Sequence, residues 1–297
     1  MENELRLKSS AAVRVLLLLS FALVGLIAAY VTLRFIDMSD TAGMLWGTTL
    51  QDIFVFILPA LITMWVCYKH PLQVMALHRA PSWLSLLVVV LVWAASLPAM
   101  NWLVEWNKNL HLPASMSAVE QWMRNAEDLA AALTEQLLDI QTFGQMLATF
   151  MVVAVMAAVS EEIFFRGAML NMVSQRRRHS YHWAVWGIAI VFSAFHMQFL
   201  GFFPRMLLGA WLGYLLVWTR SLWVPITAHL LNNGMVVILS YFDKTGLISG
   251  TQLDLLGVPQ HGEPPYLAVA SLVVTTILIA AACRHIFCKN LTKKTSD

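Results

Sequence analysis

Charge is scarce in this chain. Lys and Arg number 19 and Asp and Glu 17, together 12% of 297 residues, where a soluble domain carries about 25%. That shortage leaves little material for a soluble domain. Cysteine is scarce too: Cys67, Cys283 and Cys288 have no metal-ligand spacing and read as structural filler. No H-E-x-x-H occurs, which excludes a helical zincin site. Internal repeats and low-complexity stretches are lacking as well, and an internal repeat is what a secondary transporter usually carries. The net charge of +2 is too small to point to nucleic acid, so none is expected as a partner.

What the chain has instead is apolar length. It is 59% hydrophobic with a mean hydropathy of +0.68. Runs at 12–35, 50–68, 83–104, 144–173, 183–202, 204–219, 222–242 and 265–287 approach or exceed the roughly 20 residues that cross a bilayer core. The expected fold is therefore all-α, a polytopic transmembrane bundle of about eight spans in the lipid bilayer. The first run is too long for a signal h-region, carries Arg14 at its start and lacks a clean A-x-A site, so it reads as an uncleaved span.

An N-terminus inside the cell, with eight crossings, puts both termini in the cytoplasm. Arg6, Lys8, Arg14, Lys69, Arg79, Arg176, Arg177, Arg178, Arg220, Arg284, Lys289, Lys293 and Lys294 then lie inside. Only Arg34, Lys108, Arg124, Arg205 and Lys244 lie outside, with most of the acids, as the positive-inside rule expects. Three parts follow: 1–142 with three spans and an outer helix, 143–242 as the core, and 243–297 with an outer loop, the last span and a basic tail. In the first part Ser117-Ala-Val-Glu120 reads as a capping box. Val119, Trp122, Ala126, Leu129, Leu133, Leu137 and Ile140 follow at helical spacing, which predicts an amphipathic helix on the outer surface.

Against this background Glu161 and Glu162 stand out, because 143–173 holds no other acid. A charge at the bilayer centre costs at least ~2.5 kcal/mol, so an intramembrane ionisable residue is a functional candidate by default. Two Glu, two His (His196, His229) and Arg166 make up the expected intramembrane set, with Asp52 at a span edge and Phe192, Gly167, Asn232 and Asn233 as context. Glu162 and Arg166 are four apart and share a helix face, fit for an internal ion pair. Glu161 is turned about 100° away and has no basic residue at helical spacing. Phe192 and His196, and His229 and Asn233, are also four apart. A carboxylate and a histidine on one water form a general base, and a second histidine beside an asparagine can hold an oxyanion. The same Glu/His/His set is also a plausible set of zinc ligands.

The motifs Glu161-Glu162-x-x-x-Arg166, Phe192-x-x-x-His196 and His229-x-x-x-Asn233, in that order on successive membrane helices, resemble those of the CPBP (ABI) family of intramembrane proteases. That family includes the type II CAAX prenyl endopeptidases. The resemblance covers 143–241, about a third of the chain. It implies an endopeptidase acting on a membrane-associated protein or peptide. Glu161 would activate water, His196 would hold and polarise it, His229 and Asn233 would form the oxyanion site, and Glu162 and Arg166 would brace the geometry. Family members are described both as metalloproteases and as metal-free glutamate enzymes. If a divalent metal such as zinc is used, Glu161, His196 and His229 would hold it. The charge asymmetry and compact size fit a multi-pass bacterial inner-membrane protein, so the prenylated CAAX substrate is not transferred.

Blander readings compete. A single intramembrane histidine is more often a helix-to-helix hydrogen-bond partner. Two other function classes stay open, a proton-coupled transporter and a non-catalytic scaffold or immunity protein of the same fold. Counting residues puts Glu161 and His196 deeper than His229. For them to meet, span four or five must extend past the membrane, with a site opening to the cytoplasmic half.

Overall fold

The computed structural model describes residues 5–174, 181–249, 255–259 and 263–284. The expected Arg176, Arg177, Arg178, Lys289, Lys293, Lys294 and Cys288 lie outside them. The described chain is a helical membrane bundle. Its helices are α1 (Ala11–Leu33), α2 (Thr41–Cys67), α3 (Trp83–Lys108), α4 (Ser117–Leu137), α5 (Phe143–Val173), α6 (Tyr181–Phe195), α7 (Phe202–Thr219), α8 (Trp223–Lys244) and α9 (Tyr266–Ala282). Six spans are long and apolar enough to cross a membrane, and α6 and α9 are shorter apolar helices.

Side chains on these helices point outward as a membrane solvent requires. Leu16, Leu23, Ile27, Leu272, Val273 and Ile277 are exposed, a face that lipid covers without cost. Between helices the contacts depend on small residues, as is general in membranes. A Cβ on Gly25 of α1 would lie 1.8 Å from the Phe54 carbonyl of α2, and one on Gly213 of α7 would lie 3.0 Å from Val185 of α6. The central element is α5, which packs on α2, α6 and α8. On its other side α8 packs on α3, which in turn carries α9.

Two helices are locally underwound. Asp52–Ile57 in α2, and Phe150–Met156 and Ile163–Leu170 in α5, are π-helical, a form that concentrates at functional sites. The wide turn after Glu162 leaves carbonyls to satisfy. Asn171 Nδ2 donates to two of them, Arg166 O and Gly167 O, at 3.0 Å each.

Three expectations need correcting here. The first is the capping box at Ser117 and Glu120. The residue preceding α4 is Met116, with no side-chain cap. Glu120 instead accepts from Arg124, His111 and Leu112 N, and those bonds, Arg124's first, hold its carboxyl down at about 2. The capping box that does form is Thr142 with Gln145, at the start of α5. Second, α2 starts at Thr41, about ten residues before the expected 50, so Asp52 lies within the helix and not at its edge. Third, the expected span 183–202 is two elements. Helix α6 stops at Phe195, and a turn with a 3-10 segment, Phe199–Gly201, leads into α7.

Gly25→Val should destabilise the α1–α2 contact by about 1–3 kcal/mol, the usual cost of forcing extra atoms into a packed interface. Thermal unfolding in detergent measures it, and an unchanged midpoint would mean that α1 is free to shift away.

Candidate active site

The site forms where α5, α6 and α8 meet. Glu161 and Glu162 end an α-helical stretch of α5, and the π turn begins at Ile163. Glu162 and Arg166 are both fully buried, and Arg166 Nη1 donates to Glu162 Oε1 at 2.7 Å. His229 of α8 donates from Nδ1 to the same oxygen at 2.9 Å. Arg166 Nη2 reaches Gly209 O of α7 at 2.9 Å, and its guanidinium lies 4.4 Å from the Phe192 ring centroid, a cation–π distance. A carboxylate, a guanidinium, an imidazole, a ring and a carbonyl thus lock four helices together. Burying two charges is tolerable only with close partners; Glu162 Oε1 and both Arg166 Nη atoms have them, while Glu162 Oε2 and Arg166 Nε have none among the described residues.

Glu161 points the other way. Its side chain is 13% exposed, and Oε2 has no hydrogen-bond partner among the described residues. Facing that oxygen are His196 Nε2 at 3.9 Å and His229 Nε2 at 4.0 Å. Partners fix the tautomers. His196 Nδ1 donates to Phe192 O at 2.8 Å and His229 Nδ1 to the Glu162 carboxylate, so each neutral ring presents an Nε2 lone pair toward Glu161. Phe192 carries both rings, with centroids 5.0 Å from His196 and 6.1 Å from His229.

All the residues singled out from sequence lie in this region, though not all in the expected manner. His196 is not inside a span; it is the first residue after α6. The end of α6 thus brings His196 Nε2 to Glu161, which α8 approaches with His229 Nε2. The end in question is the one that α4 covers, where Trp122 stacks on Phe199 at 5.1 Å. On the N-inside assignment it is the outer end. On the same assignment His229 lies in the second turn of α8 from its inner end. Asn233 is one turn beyond His229 but is tied to α5, donating from Nδ2 to Val153 O at 3.2 Å and accepting from Asn232.

Two residues of this region were not assigned to it from sequence, which put Asp52 at a span edge and did not single out Gly209. Asp52, 5% exposed, lies beside Ser160 and Glu161, with Oδ2 unpartnered among the described residues. An earlier start for α2 would have revealed it as an intramembrane acid. Gly209 is the other. A Cβ there would lie 3.1 Å from Phe192 and 3.2 Å from the Ala189 backbone, so only glycine lets α7 come close enough for its carbonyl to meet Arg166. Nothing in the local sequence marks it.

As placed, Glu161, His196 and His229 do not form a metal-binding group, and no other trio of His, Cys, Asp or Glu does so among the described residues.

Residues 143–235, about a third of the chain, match the family model described as type II CAAX prenyl endopeptidase Rce1-like, a similarity that supports the CPBP/CAAX protease family. No curated protein and no solved structure gives a match. The matched span begins with α5 and ends within α8, so it contains every residue of the site except Asp52.

Glu162→Gln and Arg166→Met should each cost roughly 3–5 kcal/mol, because each strands a buried partner. Replacing both with apolar residues should cost less than the sum. A double-mutant cycle on detergent unfolding tests this, and strict additivity would show that the pair is not coupled.

Proposed function

We propose that the protein is an intramembrane endopeptidase that cleaves a membrane-associated protein or peptide with water activated by Glu161. The observation that carries this reading is the Glu161 oxygen, buried, unpartnered and faced by two imidazole lone pairs one water-width away. Such a group can act as a general base, whereas Glu162 is tied through Oε1 to Arg166 and His229.

In this mechanism a water sits between Glu161 and His196. Glu161 takes one of its protons as the oxygen attacks the scissile carbonyl, and His196 Nε2 accepts from the other O–H and fixes its direction. Glu161 then returns its proton to the leaving amine. His229 rests on the Glu162 carboxylate through Nδ1. That bond aims Nε2 at the site, where with a proton on that nitrogen it donates to the tetrahedral oxyanion. Asn233 has one amide proton beyond its bond to Val153 and adds a second donor. Glu162 and Arg166 hold His229 in place without touching substrate. No step is routed through a metal, and the catalytic unit is 143–242 in a multi-pass protein of a bacterial inner membrane.

Glu161→Gln is isosteric and removes only the base. Peptide hydrolysis should fall by at least about 100-fold, the lower range for a lost general base, with expression and unfolding unchanged. Comparing protein termini in the membranes of cells carrying wild type or Glu161→Gln tests the reading and identifies the substrate. Termini that vanish in the variant support it. Identical termini would move the assignment to a scaffold or carrier.

Treatment of purified protein with 1,10-phenanthroline should leave the rate unchanged. Inactivation that zinc reverses would instead assign Glu161, His196 and His229 to a metal.

A further inference from the structure

The turn that carries His196 is held from outside the family-matched segment. The backbone leaves α6 through Met197 at φ +55, a left-handed conformation that a non-glycine residue keeps only when its surroundings enforce it. Four residues on, the chain must enter α7. Asn107, in the last turn of α3 and 2% exposed, spans this connection: Nδ2 donates to Phe199 O at 3.3 Å and Oδ1 accepts from Phe203 N at 2.9 Å. Ser193 Oγ donates to Phe202 O at 2.7 Å. From the surface helix α4, Glu127 accepts from Leu200 N at 3.2 Å.

These bonds are more than general packing. A turn at bilayer depth has backbone groups that neither a helix nor lipid can satisfy, and Asn107 serves a donor and an acceptor at once with one buried amide. Among the described residues the Asn107 side chain has no other hydrogen-bond partner. On the helix side the His196 ring is held by its Nδ1 bond to Phe192 O and by the Phe192 ring. The direction of the His196 ring also depends on where the turn is pinned.

We propose that Asn107 is a positioning residue for His196: by clamping Phe199 and Phe203 it fixes the turn that aims the imidazole at Glu161. It does not touch the reacting atoms. The inference rests on the endopeptidase reading for its effect on rate, but its effect on His196 can be read without activity.

The experiment uses the full-length protein in detergent as wild type, Asn107→Ala, Ser193→Ala and, as a control on the exposed end of α3, Asn109→Ala. Carbethoxylation by diethyl pyrocarbonate is followed at each histidine by mass spectrometry, alongside kcat and KM on a substrate identified from membrane termini. In Asn107→Ala, His196 should react severalfold faster while buried His229 keeps its rate. kcat should fall by at least about tenfold with KM little changed, since a misplacement near 1 Å can cost as much as 100-fold. Ser193→Ala should shift both readouts in the same direction and decides the matter if Asn107→Ala does not fold. Asn109→Ala should resemble wild type. Unchanged His196 reactivity in both turn variants overturns the proposal, as does equal acceleration at His196 and His229, which would signal general loosening. If wild type hydrolyses nothing, the endopeptidase reading fails, and His196 reactivity alone decides the positioning.

Discussion

The Glu162–Arg166 pair is the constraint around which the rest is arranged. Both side chains have zero exposure, in a protein whose surroundings offer no solvent to share the charge. The penalty for leaving either charge incompletely bonded is several kcal/mol, so neighbouring elements supply partners: His229 from α8, the Gly209 carbonyl from α7 and the Phe192 ring from α6. Each of these contacts fixes the position of one helix against α5. The same contacts orient His229 and Phe192, so a stabilising network and a functional one share atoms. Glu161, one residue away and turned to the other side, keeps Oε2 without a hydrogen-bond partner among the described residues, while Glu162 takes Arg166.

Legibility from sequence followed physical cause. The apolar runs marked where the helices lie, because length and hydropathy decide what can cross a membrane. The Glu162–Arg166 bond was readable from its four-residue spacing, and the meeting of Glu161, His196 and His229 from polar residues with few reasons to be at such depth. What escaped were features that depend on where helices end. The start of α2 was hidden by Gly43, Gly47, Thr48 and Thr49, which dilute its hydropathy, and Asp52 was misplaced with it. The end of α6 at Phe195 was hidden because apolar residues continue through the turn to Phe203. Asn107 and Gly209 escaped for another reason: their roles are fixed by partners about 40 to 100 residues away, and no local pattern reports such a contact.

The helices outside the matched 143–235 segment are also part of the site's construction. α2 contributes Asp52 beside Glu161, α3 contributes Asn107, and α4 lays Trp122 and Glu127 on the turn after His196. A core limited to the matched segment would keep the motifs while losing the support for its most exposed histidine.

The 15-residue α6 next to the 31-residue α5 also affects the lipid around the protein. A helix ~8 Å shorter than the hydrocarbon thickness leaves a hydrophobic mismatch, and the surrounding leaflet must thin or let headgroups and water descend along that face. Water would thereby gain a path to the depth of Glu161 without a channel through the bundle. A thicker membrane would lengthen that path, so bilayer composition would act on the site from outside the protein.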